Sequence, residues 1–106
     1  MYHQFYVFGE DLNYKLQLAV PGNGNLDDVL LYSGGLRLTG MQFSTLDVDN
    51  DKISGNCADG YYGGWWFNSC HDAYLNGPWL STSWSYPWYS QYTTGTYVNG
   101  TSMLIK

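Results

Sequence analysis

The chain is poor in positive charge: Lys15, Arg37, Lys52 and Lys106 stand against nine acids, for a formal net charge of −5. Nucleic acid is held largely by cations that neutralise its phosphates, so a chain without a basic face is not built for that partner. Glutamate occurs once, as Glu10. The paired carboxylates of an acid–base hydrolase would therefore have to come from aspartates. The chain has no Gly-x-Ser-x-Gly elbow, phosphate-binding Walker loop or His-Glu-x-x-His motif, so a non-enzymatic role is expected. No apolar run approaches the ~20 residues needed to cross a bilayer. The opening "MYHQFYVFGED" lacks the basic and apolar regions of a signal peptide, which places any secretion signal outside these 106 residues.

What is abundant points to turns and rings. Glycine occurs 13 times, aromatics make up 19% and charged residues only 12%, a balance that favours strands, turns and stacked rings over helices laced by ion pairs. With 44% hydrophobic residues over 106 positions, the chain supports one domain, residues 1–106, burying about 60 to 70% of the surface its unfolded form exposes. "YKLQLAV" puts Tyr14, Leu16, Leu18 and Val20 on one face and Lys15, Gln17 and Ala19 on the other, the period of a half-buried strand, with "FYVF" as its neighbour. "PGNGN" breaks the chain, and "LDDVLLY" is apolar but of uncertain type. "SGGLRLTGMQFST" reads as short strands between glycines, and "TSMLIK" as a closing strand. Asn23-Gly24, Asn76-Gly77 and Asn99-Gly100 are turn candidates. The one helical suggestion is a short turn near "CHDAYLN".

Two cysteines, Cys57 and Cys70, can be a disulfide, metal ligands or unrelated thiols. A zinc site usually asks for further Cys or His at short spacing, and only His3 and His71 are present, so the disulfide weighs most. Closing a loop of this length stabilises a small domain by ~3 kcal/mol on the chain-entropy model and implies an oxidising compartment. Just before them, Asp47, Asp49 and Asp51 alternate in "DVDND". Such a run repels itself unless a cation sits among the carboxylates, or it is simply a solvated acidic turn. It begins like an EF-hand loop, but Lys52 stands where that loop needs Gly and Ala58 where it needs Glu. The small, irregular "KISGN" that follows offers backbone carbonyls to complete a hard-cation shell.

The run "FSTLDVDNDKISGNCADGYYGGWWFNSCHDAYLNG" closely resembles the calcium- and ligand-binding region of fibrinogen-related domains, the family of the fibrinogen γ chain, ficolins and tachylectins. The match rests on "FST" followed by "DVDND", then "NCA", a Tyr two before "GGWW", "C" followed by "H", and "LNG", in the family's order and spacing. It is strongest over 43–77 and weak over 78–97, while "FYVFGEDLNYKLQLAV" and "TSMLIK" resemble flanking family strands. The resemblance implies an α+β, β- and loop-rich fold, a fibrinogen C-terminal-like domain lacking the N-terminal subdomain, either partial or reduced. It implies Ca2+ held by the carboxylates of Asp49 and Asp51 and the carbonyls of Ile53 and Gly55, with Asp47 acting through water. It pairs Cys57 with Cys70, implies a cis bond at Ser69-Cys70, and gives Tyr61, Cys70 and His71 as a ligand pocket, with Trp65 and Trp66 as framework.

Tyr86 and Trp88 are added as pocket walls without a motif match, and Asn99-Gly100-Thr101 is a glycosylation sequon. The resulting expectation is a secreted, calcium-stabilised recognition domain that binds glycans or other acetylated ligands, with no nucleic-acid or membrane partner. The alternative is an extracellular assembly or adhesion module. Its interface would be the uncharged "WLSTSWSYPWYSQY", which carries Trp79, Trp84, Tyr86, Trp88, Tyr89 and Tyr92.

Overall fold

The computed structural model describes residues 4–19, Leu30, 36–78 and 100–104. Among these residues the regular structure is strand β1 (Phe5–Val7), a 3-10 turn (Glu10–Leu12), strand β2 (Leu16–Leu18) and a short helix α1 (Cys57–Tyr61). β1 and β2 pair antiparallel, with Phe5 opposite Leu18, Tyr6 opposite Gln17 and Val7 opposite Leu16. The alternation expected of this segment holds over the strand itself, where Leu16 and Leu18 are buried and Gln17 is exposed. Tyr14 departs from it. The chain is still turning there, with φ 53°, and the Tyr14 N–H donates to Gly9 O across the connection. A left-handed residue cannot extend a strand, so the Tyr14 ring is 49% exposed instead of joining the inner face.

The far edge of β2 is occupied by the segment after Arg37 through a few specific bonds. Leu16 N donates to Met41 O and Gly40 N to Leu16 O, at 2.9 and 2.7 Å. The Thr39 hydroxyl takes both backbone groups of Leu18, accepting from its N–H at 2.9 Å and donating to its carbonyl at 3.1 Å. A turn closes this segment, with Met41 N bonded to Leu38 O and Gly40 at φ 84°, the position where such a turn demands a left-handed residue. Here the expected short strands are replaced by this turn and by isolated bridges, Ser44 with Trp65 and Thr45 with Val48.

The core gathers Leu16 and Leu18 from β2, Leu30, Leu38, Cys57 and Ala58 from α1, and Trp65, Phe67, Ala73 and Tyr74. Phe67 and Tyr74 are fully buried, their ring centroids 5.1 Å apart. Among the described residues the buried Trp65 Nε1 donor meets no acceptor, a cost of ~1–3 kcal/mol that the surrounding ring contacts must offset. Two sequence expectations fail. The "CHDAYLN" segment forms no helix but ends in a reverse turn, with Gly77 N donating to Tyr74 O at 3.0 Å, as the Asn76-Gly77 pair demands. Residues 101–104 are not strand; Leu104 is 88% exposed, and among the described residues the hydrogen bond from this segment is the Thr101 hydroxyl donating to Leu75 O, too little to pair a strand. "PGNGN", Val20, the Asn23-Gly24 turn, most of "LDDVLLY", Asn99 and the aromatic stretch with Tyr86 and Trp88 lie outside the described residues.

Candidate functional site

The site is built outward from the Ser44–Trp65 bridge, in which each residue donates its N–H to the other's carbonyl, at 2.9 and 3.1 Å. The close approach on which it depends is made by glycines. A Cβ on Gly64 would sit 2.9 Å from the Phe43 ring, and one on Gly63 would sit 2.5 Å from the Tyr74 hydroxyl. From Ser44 the chain enters the acidic loop, which its own side chains fold. The Thr45 hydroxyl donates to Asp47 Oδ1 at 2.8 Å, and Asp49 Oδ1 accepts from Asp51 N at 3.2 Å. Asn50 ties the loop back twice, its N–H to Ser44 Oγ and its Nδ2 to Phe43 O. Apart from the Thr45–Asp47 bond, which joins two side chains, these are side-chain to backbone bonds, the means by which Ser, Asn and Asp hold irregular backbone without a ladder.

Asp51 is the joint between this loop and the disulfide. Its Oδ1 accepts from Ile53 N, and its Oδ2 accepts from Cys57 N, both at 2.9 Å. The second bond lands on the first residue of α1, where the helix N–H groups have no internal partner and a carboxylate is favoured. Asn56 caps the same helix, accepting from Asp59 N at 3.1 Å while its Nδ2 donates to Leu46 O. Asn56 and Asp59 are the sequence signal that would have located this helix.

The acidic loop offers only oxygen donors. Among the described residues the Ile53 and Gly55 carbonyls accept no hydrogen bond, and 52–55 are exposed. No group of three or more His, Cys, Asp or Glu side chains converges among the described residues, so a cation here would rest on the Asp49 and Asp51 carboxylates and on main-chain oxygens. That chemistry fits calcium, a hard ion that accepts carbonyls and water, and does not fit zinc. Both Asp51 oxygens already accept one N–H each, which leaves each a further lone pair.

Beyond α1, Cys57 is joined to Cys70 by a disulfide with Cα atoms 5.6 Å apart, as expected. The Ser69–Cys70 bond is cis, at the position the resemblance implied. Asn68 brackets this turn: its N–H donates to Cys70 O, its carbonyl accepts from Lys52 N, and its Nδ2 donates to Arg37 O. His71 follows, half-buried among rings, edge-on to Tyr61 at 4.7 Å and 4.9 Å from Tyr74. The Tyr74 hydroxyl donates to Tyr61 O at 3.2 Å; burial pushes that phenol up from its usual range, so it stays a neutral donor. The structure thus brings Tyr61, Cys70 and His71 into one corner. Trp65 is core, and Trp66 is framework, its Nε1 donating to Tyr14 O at 2.7 Å.

The family described as "Fibrinogen beta and gamma chains, C-terminal globular domain" matches residues 1–105. The chain belongs to the fibrinogen C-terminal domain family. Canine angiopoietin-2 is 32% identical over the whole chain, which covers 22% of that protein. The Xenopus laevis fibrinogen gamma chain is 66% identical over 38 residues, 36% of this chain and 9% of that one. Among solved structures, the fibrinogen-like globe domain of human ANGPTL2 superposes with a TM-score of 0.75 at 34% identity, over 91% of this chain and 44% of the globe. A lamprey fibrin D-dimer, complexed with the peptide ligand Gly-His-Arg-Pro-amide, superposes at 0.63 with 33% identity, over 74% of this chain and 27% of that one. The chain therefore spans less than half of these relatives. The fibrinogen C-terminal-like, strand- and loop-rich fold with little helix is what the sequence led us to expect.

Proposed function

We propose that this fibrinogen-like chain is the ligand-facing part of an extracellular recognition domain, stiffened by Ca2+ at the acidic loop and binding acetylated glycans beside the disulfide. The observation that carries the reading is the His71 ring, half-buried immediately after Cys70 and packed edge-on against Tyr61. Two rings at the rim of a core form an apolar wall suited to an acetyl methyl group, and the Cys70 N–H, which has no acceptor among the described residues, is a donor available to an acetyl carbonyl. Asp49, Asp51 and the carbonyls of Ile53 and Gly55 would hold the cation, with Asp47 reaching it through water. The cation would supply charge neutralisation, and the chain's own Asp51–Cys57 bond would pass the loop's rigidity to the disulfide. Four protein oxygens plus water suit a modest extracellular affinity, with Kd of order 10⁻⁴ to 10⁻³ M. Tyr86 and Trp88 remain proposed walls, and Asn99 a proposed glycan acceptor.

Calorimetric titration of N-acetylglucosamine into the chain with calcium tests this reading. Wild type is expected to bind, and His71→Ala to bind more weakly with its melting temperature nearly unchanged. Absence of binding by wild type to any acetylated ligand contradicts the reading. A second reading, recognition of a peptide or protein partner, is favoured by the uncharged aromatic run from Trp79 to Tyr92 and by the peptide-bound state of the lamprey relative. It would be supported by an obligate multimer in solution alongside silence toward acetylated sugars.

A further inference from the structure

We propose that Tyr62 is a stacking platform for a second sugar ring, adjoining the acetyl site at Tyr61 and His71. The proposal rests on the glycan reading above and extends it. Three described residues other than glycine have left-handed backbone: Asn13, Tyr14 and Tyr62. Asn13 is of a type that tolerates this conformation, and it caps the 3-10 turn with its N–H on Glu10 O. Tyr14 is placed where its carbonyl receives the Trp66 indole. Tyr62 has no such structural use for its side chain. It caps α1 at φ 66° and ψ 42°, with its N–H on Ala58 O, a position where glycine is strongly preferred because a Cβ crowds the backbone. The residue is 82% exposed, and among the described residues its ring makes no ring contact or side-chain hydrogen bond.

A large aromatic held in a glycine's place, and turned to solvent, is a cost to folding that no contact among the described residues offsets. Where the surrounding structure does not use such a residue, strained backbone of this kind clusters at binding sites. The platform is rigid at its base. Gly63 N also donates to Ala58 O at 3.2 Å, and α1 starts at the disulfide cysteine Cys57. Tyr61 and Tyr62 are consecutive, with Cα atoms about 3.8 Å apart, yet the Tyr61 ring turns inward to His71 and Phe67 while the Tyr62 ring faces out. The proposal is that one ligand places an acetyl group against the first ring and the apolar C–H face of its neighbouring sugar on the second. An exposed tyrosine has few rotatable bonds to fix on binding, so the entropic cost of using it is low.

The test compares N-acetylglucosamine with its disaccharide, di-N-acetylchitobiose, by calorimetry on the wild-type chain and on Tyr62→Gly and Tyr62→Phe. The proposal predicts that wild type prefers the disaccharide and that Tyr62→Gly loses this preference by roughly three- to tenfold, with monosaccharide affinity unchanged. Tyr62→Phe should keep it. Tyr62→Gly should also melt higher than wild type, by about 4 °C or more, because the left-handed position is relieved. A loss of binding accompanied by a gain in stability is not what a structural residue gives. An unchanged disaccharide preference in Tyr62→Gly overturns the platform while leaving the acetyl site standing. If wild type binds neither sugar, the glycan reading itself fails and the platform with it.

Discussion

The β1–β2 hairpin and the corner from Ser44 to Gly77 reach order by different means. The hairpin is held by pattern: Phe5, Val7, Leu16 and Leu18 face inward, backbone bonds do the pairing, and Tyr6 and Gln17 point outward. The corner has five residues of helix and two isolated bridges, and is held by individual polar side chains that each satisfy a particular backbone group. Asn50, Asp51, Asn56 and Asn68 all act this way. A hydrophobic pattern sets only which side faces in, whereas a set of specific bonds fixes where each atom stands. The second arrangement is what a binding surface requires, and it makes the corner sensitive to polar substitutions that the hairpin would ignore.

The largest test of this contrast is the covalent one. Replacing Cys57 and Cys70 together by Ser should cost about 2–5 kcal/mol in denaturant unfolding and abolish the proposed acetyl-ligand binding, because the bond closes the corner around His71. Next comes the polar joint. Asp51→Ala leaves the N–H groups of Ile53 and Cys57 without their acceptor and should cost about 1.5–3 kcal/mol, against less than about 0.5 kcal/mol for Gln17→Ala on the hairpin. Equal costs at these two sites would erase the distinction between the regions. Gly63→Ala places a methyl against the Tyr74 hydroxyl and should cost about 1–3 kcal/mol as the buried ring is displaced.

The smallest effect concerns Asp72, whose carboxyl burial pushes above its usual range. Its folded pKa is raised, so the stability tied to its protonated form is complete below about pH 4 and is lost as pH rises through the folded value. Asp72→Asn should therefore melt slightly higher than wild type at neutral pH, with the advantage vanishing below about pH 4. Melting curves across that range check the sign.

The hairpin was legible because a period of two is visible in a few residues, as in Leu16, Gln17 and Leu18. The turn before it was not, since nothing in "NYK" announces left-handed backbone at Tyr14. Helix α1 escaped notice because five residues are too few to show a helical period, although Asn56 and Asp59 marked its start. The corner's residues were visible through their resemblance to fibrinogen-related domains, including the cysteine pair and the cis bond before Cys70. Their wiring was not. That Asp51 reaches the Cys57 amide, or that Asn68 ties Arg37 to the disulfide turn, depends on approaches between segments that a linear pattern does not encode.

Asp51 bonds the acidic loop to the Cys57 amide of the disulfide corner, and the proposed calcium site would stiffen the two as one unit. The most direct test is a thermal melt of wild type and Asp49→Ala in low-millimolar calcium and in chelator. Calcium should stabilise wild type by roughly 1–2 kcal/mol through mass action and leave Asp49→Ala unmoved. A wild-type melting temperature that is the same in calcium and in chelator would contradict the account.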